Sequence, residues 1–190
     1  MLCFSKPSRN AIAEFIALQT SKKFSYPEGG MSQRPAPSDY TLDHNRIRLG
    51  QGVNTFDRAK RAISQWKMFD MPWLELCWPE ARIQPGSTVA VLVSHLGFWS
   101  MNACRIAYVV EEHGPLQRYG FAYGTLPGHA EVGEERFTVE FDSNTGDVWY
   151  DIYALSRPTA LARLAYPFTR SLQRRFARDS KAAMLRAAQL

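Results

Sequence analysis

The sequence predicts an α+β fold, a curved antiparallel sheet of about six strands packed on one long C-terminal helix. Three observations predict it. Five strand-like segments follow one another between residues 88 and 155 with only short links, the pattern of an antiparallel meander. An apolar stripe with helical spacing runs through the C-terminal segment. Finally, a sheet with one apolar face must be covered, and that helix is the obvious cover.

The elements follow in order. Ser8 can cap a first helix that runs through Leu18, with Ile12, Phe15 and Ile16 on one side. Residues 26–39 are rich in Pro, Gly and Ser and read as a loop. Residues 40–49 read as a strand, which Gly50-Gln51-Gly52 ends with a tight turn. A strong helix follows, capped by Asn54 or Thr55, with Phe56, Ala59, Ile63 and Trp66 on one face. Residues 71–78 read as a second short helix or a turn. The five strands are 88–96, 99–110, 117–125, 132–141 and 147–155, and the 142–146 link, ending in Gly146, is a hairpin connection. The last helix is expected to begin near Pro158 and to be kinked or divided at Pro167. Phe168, Leu172, Phe176, Ala183 and Ala187 then mark its apolar side. The whole of 1–190 reads as a single domain, with 1–39 as helix and loop and 40–190 as the core.

Charge is concentrated. The chain carries +5, yet the segment 159–190 alone carries +6, from Arg163, Arg170, Arg174, Arg175, Arg178, Lys181 and Arg186 against Asp179. A solvated helix surface is the simplest reading of that face, and weak contact with an anionic membrane is the second. Nucleic-acid binding is not expected, because no interleaved aromatic and basic residues accompany the charge. Cys3, Cys77 and Cys104 are odd in number and match no zinc spacing, so free thiols and a cytoplasmic location are expected. Residues 11–18 are apolar but short and are broken by Glu14, which excludes a membrane span there.

No metal and no cofactor are expected. His44, His95, His113 and His129 lie far apart in sequence. Gly50-Gln51-Gly52 lacks the Lys-Ser/Thr of a phosphate loop and the third glycine of a dinucleotide fingerprint. Cys104 lies mid-strand, where packing explains it, and no Gly-x-Ser-x-Gly is present.

Candidate site residues come from strand alternation. From Glu134 to Phe141 one face carries Glu135, Phe137, Val139 and Phe141. The other carries Glu134, Arg136, Thr138 and Glu140, which should face water. Glu135 therefore points inward, where a carboxylate must be paired or protonated. Arg105, His129, His95 and the hydroxyl of Tyr123 are the partners considered. A structural brace for the loop 125–133 and a ligand anchor or general acid/base are both open readings.

The order of elements resembles the helix-grip fold of the START and pollen-allergen superfamily. More narrowly, the chain looks like an uncharacterised family of plant and bacterial proteins filed as domain of unknown function nineteen-ninety. The resemblance is carried by Tyr26-Pro27-Glu28-Gly29, by Leu49-Gly50-Gln51-Gly52 with Phe56, Ala59 and Trp66, and by Cys104-Arg105-Ile106-Ala107-Tyr108. Its most specific part is Gly120-Phe121-Ala122-Tyr123-Gly124-Thr125-Leu126-Pro127-Gly128-His129, continued by Gly133-Glu134-Glu135-Arg136-Phe137. Ser156-Arg157-Pro158 and Gln173-Arg174-Arg175-Phe176 complete it. The resemblance implies the fold and leaves the chemistry open, since the wider superfamily mixes lipid carriers, cyclases and hormone receptors.

The preferred function is a soluble protein that binds a small apolar ligand between the sheet and the C-terminal helix. Its ligand-binding residues would be Glu135, Tyr123, Arg105, His129, Phe137 and Trp66. The alternatives are an acid/base enzyme (a cyclase, isomerase or hydrolase) using Glu135 with His129 or Tyr123, and an interaction protein without a cavity.

Overall fold

The computed structural model describes residues 1–78, 81–95, 97–159 and 166–189. Its elements are β1 (Leu2–Cys3), α1 (Arg9–Thr20), β2 (Thr41–Gln51), α2 (Val53–Ser64), β3 (Leu74–Cys77) and β4 (Thr88–His95). Then follow β5 (Phe98–Glu112), β6 (Leu116–Thr125), β7 (Glu131–Asp142), β8 (Asp147–Pro158) and α3 (Tyr166–Gln189). Every strand pair is antiparallel, and the order across the sheet is β2-β8-β7-β6-β5-β4-β3, with β1 paired to β5. The expected meander β4 to β8 is there, and β2 closes onto β8.

Several expectations need correction. The main path has seven strands, one more than the six expected, and β1 adds a short eighth. The extra strand on the path is β3, in the stretch that reads as a helix or turn. Its residues Leu74–Cys77 pair with residues 90–93 of β4, so a partner edge overrides weak local preference. α2 is capped by the backbone of Gly52 (φ 84°), not by Asn54 or Thr55. Thr55 donates its hydroxyl back to the Gln51 carbonyl at 2.8 Å. Pro158 ends β8 and does not open the last helix. Pro167 lies in the first described turn of α3, where a missing N–H is tolerated, and the expected kink or division there falls at the edge of the described residues. Residues 160–165, and with them Arg163, lie outside the described residues.

Two bulges help curve the sheet, one in β2 between Arg48 and Gly50 and one in β5 between Ile106 and Tyr108. The inner face curls around α3 and α2, the helix-grip arrangement. Phe56, Ala59 and Ile63 of α2 and Phe176, Met184 and Ala188 of α3 join Phe121, Phe137, Val139 and Tyr150 of the sheet in one core. The Tyr150 and Ser180 hydroxyls meet at 2.9 Å and fix α3 on the sheet. Arg58 of α2 donates to the Ala188 carbonyl at 2.7 Å, satisfying an otherwise orphan end of α3.

The outer face is also partly covered. Ser8 caps α1, its hydroxyl accepting from Ala11 N–H at 3.2 Å. Ile12 and Phe15 then pack on Ala90, Leu92, Met101 and Ala103 of β4 and β5. Further along, the segment around Tyr26 and Met31 packs on Leu155. Among the described residues, no helix is long and apolar enough to cross a membrane.

Candidate functional site

The alternation that turns Glu135 inward holds in the structure, and strand register gives it neighbours. Tyr123 of β6, Glu135 of β7, Ala154 of β8 and Asp43 of β2 form one row across four strands. Tyr123 donates its hydroxyl to Glu135 Oε2 at 3.0 Å, a bond between directly opposed residues. Ala154 is small, and the space above it is open.

That space is a cavity of about 980 Å³ between the sheet and α3, with mostly apolar walls. Phe69, Trp73, Val91, Ile152 and Phe176 supply much of them. The surface that Glu135 retains faces this cavity. Burial pushes the Glu135 carboxyl up to about 8; the Tyr123 hydrogen bond opposes the rise, and nearby Glu131 and Asp43 add to it. At neutral pH Glu135 is therefore mainly a neutral acid, able to donate as well as accept a hydrogen bond.

The cavity rim is polar and tied to α3. Arg170 grips Asp43 with two N–H groups, one of them 2.8 Å from Oδ1. Gln173 donates to Glu131 and, at 3.1 Å, to the Ser156 hydroxyl. His129 also lines the cavity. Its Nδ1 accepts the Glu131 N–H at 3.0 Å, so Nε2 carries the ring proton. Crowding by surrounding protein lowers the pKa of this half-buried imidazole to about 4 and keeps it neutral.

The other predicted site residues lie elsewhere. Arg105 is on the outer face, where its guanidinium donates to the Gln19, Thr20 and Lys22 carbonyls at the end of α1 (2.7–2.9 Å). It caps a helix and does not reach Glu135. The apolar neighbours Cys104 and Ile106 already carry that signal, because alternation puts Arg105 opposite them. Trp66 and Phe137 are core residues: Trp66 packs edge-on against Phe121 at 4.8 Å, and Phe137 packs on Phe69 at 5.6 Å. Neither lines the cavity wall.

The expectation that Glu134, Thr138 and Glu140 face water is overturned as well, while Arg136 stays partly exposed. Glu134 is 2% exposed. Its carboxylate accepts from Tyr26 Oη (2.7 Å), Gly30 N–H (2.8 Å), Ser32 N–H (2.8 Å) and Ser32 Oγ (2.6 Å). Gly30 adopts φ 87°, which aids the turn of this clasp. Gly124 makes room for it: a Cβ there would sit 1.9 Å from the Tyr26 hydroxyl. So the long motif has a physical division of labour. Phe121, Tyr123 and Glu135 serve the inner face, while Gly124 and Glu134 receive the N-terminal loop.

The chain matches the family described as Domain of unknown function (DUF1990) over residues 25–183 and belongs to it. A UPF0548 protein of Dictyostelium discoideum is 35% identical over 207 residues, covering 98% of this chain and 95% of its own. A UPF0548 protein of Deinococcus radiodurans is 36% identical over 202 residues, covering 99% of each. Among solved structures, Ara h 8.0201 is similar with a TM-score of 0.47 at 10% identity, covering 77% of this chain and 98% of that one.

Proposed function

We propose that this protein is a carrier or sensor that holds a small, uncharged, apolar ligand between the sheet and α3. The observation that supports it is the mostly apolar cavity of about 980 Å³ with the inward-facing, hydrogen-bonded acid Glu135 on its wall. Sparse polar groups in an apolar pocket orient a ligand, and bulk burial supplies the affinity. A ligand burying about 300 Å² of apolar surface gains roughly 7 kcal/mol before entropy costs. Glu135 would give its proton to a carbonyl or hydroxyl at the ligand's polar end, while Tyr123 holds the carboxyl in place. A cytoplasmic location belongs to the same proposal and rests on three free cysteines.

The test is uptake of Nile red, an uncharged apolar dye. The unaltered protein should enhance its fluorescence saturably. Ala177→Trp, which puts an indole into the cavity from α3, should abolish that response while far-UV circular dichroism stays unchanged. Equal dye binding by both proteins, or none by either, refutes the proposal. An acid/base enzyme is the second reading, favoured by the same Glu135–Tyr123 bond, since a group titrating near neutrality can give and take a proton. Turnover lost in Glu135→Gln while dye binding persists would support the enzyme instead.

A further inference from the structure

We propose that the outer face of the sheet carries a second binding site, for a small uncharged polyol of about monosaccharide size. The site is a groove of about 370 Å³ on the face turned away from α3, bordered by residues of β2, β5, β6, β7 and β8. Register builds its floor: Gly120, Thr138, Asp151 and Arg46 are successive neighbours across four strands, with Arg136 one step along β7. Gly120 lets β6 lie close against β7 here: a Cβ on it would sit 2.0 Å from the Phe137 carbonyl oxygen.

The groove concentrates unmet hydrogen-bonding capacity. Among the described residues, five buried side-chain atoms make no hydrogen bond of good geometry: Gln19 Oε1, Tyr40 Oη, Arg136 Nε, Thr138 Oγ1 and Asp151 Oδ1. The last three belong to Arg136, Thr138 and Asp151, which all line this groove. Thr138 is 1% exposed and Asp151 3%, so neither atom turns to bulk solvent. Such groups are costly unless something meets them. The Asp151 carboxylate is held from its other side by His44, whose Nε2 is 2.5 Å from Oδ2. Arg136 NH2 is 3.7 Å from Asp151 Oδ1, beside it but beyond hydrogen-bond reach.

The chemistry of the three atoms selects the ligand. They comprise an acceptor (Asp151 Oδ1), a donor (Arg136 Nε–H) and a hydroxyl that can be either (Thr138). Neighbouring hydroxyls on one ligand match that set, one donating to the carboxylate and the next accepting from the guanidinium. An ion matches it poorly. Arg46, Arg118 and Arg136 are balanced in the groove by Glu112, Glu140 and Asp151, with Arg46 and Arg118 both on Glu140. The fixed charge is therefore already neutralised, and dehydrating an ion costs more than dehydrating a hydroxyl. Val110 and Leu116 border the same groove and suit the C–H face of a sugar ring. This site is independent of the cavity under α3.

The test is a titration of the ¹⁵N-labelled full chain with D-glucose, D-mannose and D-galactose, with glycine and inorganic phosphate in parallel. Saturable shifts of backbone amides in residues 136–140 and 149–153 are expected with at least one sugar. Thr138→Val should weaken that binding about tenfold. Its melting temperature should be no lower, because the lost hydroxyl makes no hydrogen bond of good geometry. Arg136→Lys keeps the charge, removes Nε–H and should weaken binding likewise. The proposal fails if no sugar gives saturable shifts there, if glycine or phosphate binds in its place, or if both variants bind as tightly as the parent.

Discussion

Glu134 and Glu135 are adjacent in sequence and opposite in role. Glu134 faces out and accepts four hydrogen bonds from the loop that lies over it. Glu135 faces in, receives one, and looks into an apolar cavity. Burial alone does not separate a structural carboxylate from a functional one; the number of donors that meet it does. A sated carboxylate holds chain segments together, whereas an under-coordinated one retains capacity for a ligand.

That contrast predicts an order of effects. Glu134→Ala leaves buried donors on Tyr26, Gly30 and Ser32 unpaired and should cost about 4 kcal/mol in urea unfolding. Dye uptake by the fraction that stays folded should survive. Gly124→Ala strikes the same clasp from below, since its new Cβ displaces the Tyr26 hydroxyl. A loss of about 3 kcal/mol is expected, with a matching fall in melting temperature.

Glu135→Gln should do the reverse and stabilise the protein, in a manner that depends on pH. The folded pKa is raised, from an ordinary 4.5 to about 8. Across that window the unfolded chain has given up the proton and the folded chain keeps it, so stability of the parent falls as pH rises. The variant lacks this loss. Near the top of the window it should be more stable by roughly 4 kcal/mol, and below the window the difference should vanish. Unfolding curves at several pH values check it; a difference that grows toward acid would contradict the assignment. The smallest effect belongs to Arg170→Ala, which frees α3 from Asp43 at the rim. About 1 kcal/mol should be lost, and less in high salt.

The same contrast shows what local sequence could reveal. Alternation along β7 identifies Glu135 as inward because Phe137, Val139 and Phe141 share its side. It equally identifies the face of Glu134, but it says nothing about what covers that face. The cover is the loop at Tyr26–Ser32, about a hundred residues away in sequence, and its grip depends on Gly124 in a neighbouring strand. Polar residues facing a covered side look like polar residues facing water. Thr138 and Asp151 were hidden for the same reason. Residues 74–77 became a strand only through the edge of β4, while the core face of α2 was legible because its contacts repeat at helical spacing.

The neutral acid in the apolar cavity is best tested by carboxyl-detected ¹³C titration of Glu135 in the unliganded protein. A midpoint near 8 is the expected result. A midpoint at the ordinary carboxylate value of 4.5 would mean that water, not an apolar wall, surrounds this group, and the ligand site drawn from it would not stand.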